Sequence, residues 1–95
     1  MGKANFDIMF INTVTTEEIY EASVEKYKSI AEKAGSIFNK IKKWGIKELP
    51  REINNQSKGY YTLFNLTTDK ETIKEIDRLM KADEEILQHL ILSKK

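Results

Sequence analysis

Ninety-five residues, 40% apolar and 33% charged with a formal net charge of +1, describe one soluble globular domain, 1–95, with a single modest core, and exclude a disordered tail. The absence of cysteine removes disulfides, thiolate metal ligands and a thiol nucleophile. No apolar run approaches the roughly 20 residues that span a bilayer, and the opening MGKANFDIMFIN lacks a cleavable apolar core, so the expected location is the cytoplasm or an organelle interior.

Phe6, Ile8 and Phe10 alternate with Asp7, Met9 and Ile11, a period of two with both faces largely apolar, which predicts a strand central to its sheet. Thr15 or Thr16 then offers a helix cap, and Thr15 with Glu18 makes a capping box. Tyr20, Val24, Tyr27, Ala31 and Ala34 form the apolar stripe of that helix, while Glu21, Glu25, Lys28 and Glu32 look outward. Gly35 is placed to end it in the left-handed conformation.

Ser36 to Glu48 interleaves Ile, Phe and Trp with Lys, a long strand pattern with Gly45 as a bulge or bend. Pro50 cannot donate to a ladder, so this strand lies at an edge there or breaks there. Asn54 to Gly59 predicts a turn and Tyr60 to Leu66 a strand. Thr68 and Glu71 repeat the capping box, and Ile73, Ile76, Leu79 and Met80 form the stripe of a second helix reaching about Ala82. Ile86 to Leu92 is the last strand, followed by a basic tail. This order lets two helices bury their stripes on one face of a four-stranded antiparallel sheet, an α+β, ferredoxin-like β-α-β-β-α-β sandwich. The other face is then a binding surface or must be covered.

Charge is unevenly placed. Residues 36–60 hold six basic side chains against two acidic ones, a local +4, whereas residues 1–35 come to −2 and residues 61–95 to −1. Lys40, Lys42, Lys47, Arg51 and Lys58, set around Trp44 and Tyr60, combine charge for phosphates with flat rings for bases or riboses, a pattern that points to structured RNA. Lys58-Gly59-Tyr60-Tyr61 begins like the stacking motif of an RNA-recognition module, but Thr62 and Asn65 stand where further aromatics belong. His89 is the only histidine, without a second His or any Cys, so a surface or partner-facing imidazole is expected and no metal. Glu17-Glu18 and Glu84-Glu85 suit a helix start and a turn. The four glycines are scattered, and no nucleophile has a base at a recognisable spacing, so neither a cofactor nor catalysis is expected.

The element order, Phe6-Asp7 in the opening strand, the Trp44-Gly45-x-Lys47-x-Leu49 run with Ile53 beyond it, Gly59-Tyr60-Tyr61 and the acidic turn before Ile86-Leu87 are together similar to the bacterial ribosomal protein S-six family, the sixth protein of the small subunit. The resemblance covers essentially the whole chain. It implies a non-enzymatic component of the small ribosomal subunit that binds the central domain of the small-subunit ribosomal RNA together with ribosomal protein S-eighteen. It further implies that Trp44, Gly45, Lys47 and Leu49 occupy motif positions and that Lys42, Lys43 and Lys58 contact phosphate. Many relatives carry three arginines after the glycine, where this chain has Ile46, Lys47 and Glu48. Arg51 compensates in part, Gln88 replaces an arginine common in the last strand, and the basic residues of the N-terminus are reduced to Lys3. Lysine for arginine exchanges bidentate phosphate recognition for point charge. The competing readings are a ferredoxin-like small-molecule regulatory domain, an acylphosphatase-like enzyme and a free-standing RNA-recognition module. The first two need an anion cradle with a placed Arg, and neither Arg51 nor Arg78 lies in a glycine-flanked loop.

Overall fold

The computed structural model describes residues 2–94 and contains β1 (Ala4–Thr13), α1 (Glu17–Lys33), β2 (Ile37–Ile53), β3 (Gln56–Thr68), α2 (Lys70–Ala82) and β4 (Ile86–Lys94). Lys95, the end of the expected basic tail, and Met1 lie outside the described residues. The strands form one sheet in the order β2-β3-β1-β4, with antiparallel neighbours throughout. The ferredoxin-like expectation is met, and β1 is central as its doubly apolar alternation requires.

Phe6, Ile8 and Phe10 of β1 with Phe64 and Leu66 of β3 face the helices and are buried against Tyr20, Val24, Tyr27 and Ala31 of α1 and Ile76 and Met80 of α2. Phe10 meets Phe64 edge-on at 5.1 Å between ring centroids, a geometry favoured by the ring quadrupoles. Ala34, expected in the α1 stripe, is instead the exposed C-cap, and Gly35 follows with φ +89°. Both helix caps sit one residue later than the expected boxes. Thr16 Oγ1 accepts from Ile19 N–H at 3.2 Å and Asp69 Oδ1 from Thr72 N–H at 2.8 Å. The third helical residues are therefore Ile19 and Thr72, which lack the carboxylate that would complete a box. Thr68 is buried and shares a 2.6 Å hydrogen bond with Ser36 Oγ.

The hairpin differs from expectation in its turn. Asn54 and Asn55 both take positive φ, 50° and 64°, which makes a two-residue connection whose twist matches the flanking strands, and Gln56 to Gly59 already belong to β3. Pro50 sits within β2 because that strand is the sheet edge. Gly45 (φ +79°) marks a register shift, the bulge its position suggested. Pairing of β1 with β3 stops at Thr13–Gly59, so residues 48–58 overhang the sheet and help give the molecule its 40 Å long axis against 25 and 23 Å across. Leu49 bends back from this overhang onto Gly59, where an added methyl group would collide with Ile11 Cγ2 and lie 3.1 Å from the Asn12 carbonyl.

At the C-terminal end of α2, Asp83 accepts from the Tyr27 hydroxyl at 2.6 Å, from Lys26 Nζ at 3.1 Å and from Glu85 N–H at 2.9 Å. Burial works to raise its pKa, but these donors outweigh it and hold the carboxyl below its ordinary range. Since folding lowers this pKa, the stabilisation is complete above the unfolded value of about 3.9 and is lost as pH falls through the folded value. Stability measured by urea titration from pH 6 down to pH 2 should therefore show an acid limb that is shallower in Asp83→Asn. Replacing Gly59 by Ala should cost about 1–3 kcal/mol through overpacking. Gly45→Ala, where the added atom meets open space, should cost only the backbone strain of about 1 kcal/mol.

Candidate nucleic-acid interface

The basic side chains are sorted by the register of β2 on β3. Lys40 stands opposite Asn65 and Lys42 opposite Leu63; these two in turn face Asp7 and Met9 of β1, which alternate with the core residues and therefore lie on the helix-free face. Lys47 stands opposite Gly59 on the same face. Lys43, one residue out of phase with Lys42, falls opposite the buried Thr62 on the helix side. There its ammonium pairs with Glu21 of α1, whose carboxylate raises the lysine pKa. Trp44 occupies the bulge, 41% exposed, with Lys47 Nζ 5.5 Å from its ring centroid, close enough for a cation–π attraction. Arg51 and Lys58 are exposed on the overhanging hairpin.

Lys40, Lys42, Trp44, Lys47, Arg51 and Lys58 thus lie along one sheet edge and its extension. Lys3, Lys43 and Tyr60 are held elsewhere. Lys3 Nζ donates to the Gly35 carbonyl at 2.7 Å, where a cation complements the C-terminal end of α1. Tyr60 faces the helices and stacks on Tyr20 with centroids 4.2 Å apart and rings 9° from parallel. Its neighbour Tyr61, opposite Ile11, carries the aromatic ring of this part of the helix-free face. Of the two helices α1 alone has an acidic excess, with Glu17, Glu18, Glu21, Glu25 and Glu32 exposed or in part so against Lys26, Lys28 and Lys33.

The helix-free face has two chemistries that sequence reasoning did not assign. One end is a polar ladder in which Asn65 Nδ2 donates to Asp7 Oδ1 at 2.6 Å and to Asn5 Oδ1 at 3.0 Å, while Asn39 Nδ2 donates to Asn65 and Thr67, each at 3.1 Å. The Asn65 bond, ahead of Lys94, lowers the pKa of Asp7. The other is apolar, with Met9 and Leu63 beside Leu90 and Leu92, which are 48% and 50% exposed. The alternation of Leu90 and Leu92 with His89 and Ile91 was the available signal. His89, expected at the surface or facing a partner, turns toward α2, where its Nε2 lies 2.7 Å from Asp77 Oδ1.

Residues 5–93 match the family model described as Ribosomal protein S6. The chain belongs to the ribosomal protein S6 family. A small ribosomal subunit protein bS6 of Clostridium botulinum (strain 657 / Type Ba4) is 38% identical over 86 residues, which span 90% of this chain and 92% of the relative. A bS6 of Clostridium beijerinckii is 33% identical over the same length, 90% of each chain. The crystal structure of the 30S ribosomal protein S6 from Thermotoga maritima has the same fold, with a TM-score of 0.90 over 97% of this chain and 88% of that one at 23% identity.

The register also gives Ile46 and Glu48 a common geometry. Ile46 stands opposite Tyr60 and Glu48 opposite Lys58, both on the helix side, whereas Lys47 is on the helix-free side. Thermal denaturation should separate the two aromatic positions. Tyr60→Ala, which removes a stacked and half-buried ring, should cost about 1–3 kcal/mol, and Trp44→Ala should stay within about 1 kcal/mol of the parent.

Proposed function

We propose that this chain is a structural constituent of the small ribosomal subunit that binds the central domain of small-subunit ribosomal RNA together with ribosomal protein S-eighteen, and that it catalyses no reaction. Its place is then the ribosome of the cytoplasm. The observation that carries this reading is the collection of Lys40, Lys42, Lys47, Arg51 and Lys58 on one sheet edge and its overhang. A long, exposed cationic strand follows a phosphate backbone without enclosing a small molecule, and the lysines act as point charges that position the protein on the RNA. Trp44, oriented by Lys47, supplies a flat surface for a base or ribose. Lys3, Lys43 and Tyr60 act indirectly, through the end of α1, the α1–β2 ion pair and the stacking under the hairpin. Membership of the S6 family supports the ribosomal setting.

Binding to a central-domain RNA fragment in the presence of S-eighteen, measured by filter retention over a salt series, tests the proposal. The log-log slope should be about −0.7 to −0.9 per phosphate contacted. Replacing Lys40, Lys42 and Lys47 by Glu together should weaken binding by roughly 100-fold or more and flatten the slope. Lys3→Ala should leave both nearly unchanged. A parent slope near zero would overturn the electrostatic role.

A further inference from the structure

The amide ladder on the helix-free face has a fixed direction. Asp7 pairs with Lys94 at 3.3 Å, and an ionised carboxylate only accepts hydrogen bonds, so the part of Asn65 that meets Asp7 Oδ1 at 2.6 Å is its amino group. Asn65 Oδ1 is thereby turned toward Asn5 and Asn39, which present their own amino groups to it at 3.2 and 3.1 Å. The carbonyl oxygen of Asn5 is taken up in return, accepting from Asn65 Nδ2 at 3.0 Å. Asn39 differs. Its amino group donates to Asn65 Oδ1 and to Thr67 Oγ1, each at 3.1 Å, which uses both donors of a carboxamide. Among the described residues none donates to Asn39 Oδ1, and the residue is exposed. The ladder therefore ends at the sheet edge in a held acceptor that faces solvent.

Lys40 stands beside that acceptor. The register of β2 on β3 shifts between Phe38 and Lys40, so the consecutive residues Asn39 and Lys40 both reach the helix-free face at Asn65, where an unbroken strand would send them to opposite faces. An acceptor next to a cation matches the backbone of one nucleic acid only. Phosphate and ring oxygens accept, and the 2′-hydroxyl is the one backbone donor, present in RNA and missing from DNA. The lysines of the edge, as point charges, hold either polyanion. We propose that Asn39 is the residue by which this edge distinguishes RNA from DNA, its Oδ1 accepting from a ribose 2′-hydroxyl while Lys40 holds a neighbouring phosphate; this deepens the RNA-binding role proposed above and rests on it. Because Asp7, through Asn65, already orients the carboxamide, little conformational freedom is lost when the ribose docks.

Filter retention of central-domain RNA fragments in the presence of S-eighteen, each fragment carrying a single 2′-deoxy nucleotide, tests it. For the parent chain, removing the hydroxyl at one ribose should weaken binding roughly 3- to 10-fold, the range of one hydrogen bond. Asn39→Ala should weaken binding of the unmodified RNA by a similar factor and become indifferent to that same 2′-deoxy substitution. Its salt slope should equal the parent's, because no phosphate contact is removed. Parent binding without a salt slope would overturn the RNA-binding role, and the role of Asn39 with it. Salt-dependent binding with no sensitive ribose, a sensitivity that persists in Asn39→Ala, or an Asn39→Ala loss matched only by deleting a base amino group would each overturn the role of Asn39 and leave the cationic edge standing.

Discussion

The pairing of β2 with β3 is the constraint on which the surface chemistry depends. Side chains in a strand alternate between faces, so a shift of one residue in this ladder would exchange every lysine between solvent and the helical layer. The register is fixed from both ends. Phe38 and Ile41 must reach the core beside Leu66 and Phe64, and the Asn54-Asn55 turn permits only one alignment at the other end. Between these anchors, the bulge at Gly45 resets the phase, so that Lys42 and Lys47 share a face although they stand five positions apart, an odd step.

Much of the architecture was legible because it rests on periodicities that need no tertiary information. The stripe from Tyr20 to Ala31, the doubly apolar alternation of β1, the left-handed Gly35 and the bulge at Gly45 follow from helix geometry, burial on both faces and the lack of a Cβ. The caps were displaced by one residue because adjacent Thr15-Thr16 and Thr68-Asp69 each offer two side chains of nearly equal capping strength. Thr68 was claimed instead by its buried bond to Ser36. The turn was placed too broadly because Gln56, Ser57 and Lys58 are polar, and polarity in a hairpin that overhangs the sheet reflects solvent on both sides and no break in the strand.

The cationic segment was visible as a charge imbalance, but its division into used and free lysines was not. Lys43 carries the same charge as Lys42, and only the pleat, with Glu21 waiting on α1, separates them. Tyr60 likewise reads as a candidate stacking platform until its pairing with the Tyr20 ring is known. The apolar strip at Leu90 and Leu92 escaped because a strand of alternating residues does not say which of its faces the helices cover. That is set by the pairing of Leu90 with Met9 and of Leu92 with Asp7, a tertiary feature.

In the proposed complex the β2 edge and its overhang meet the RNA, and the outward face of α1, with five acidic against three basic side chains in that helix, is turned away from it. The most direct measurement is the perturbation of backbone amide and lysine side-chain resonances of the isotope-labelled chain on adding central-domain RNA with S-eighteen. Changes confined to the β2 edge and its overhang, including Lys40, Lys42, Lys47, Arg51 and Lys58, with Lys43 and the outward residues of α1 unmoved, are the expected result. Perturbations centred on α1 or on Lys43, with the β2 edge silent, would contradict it.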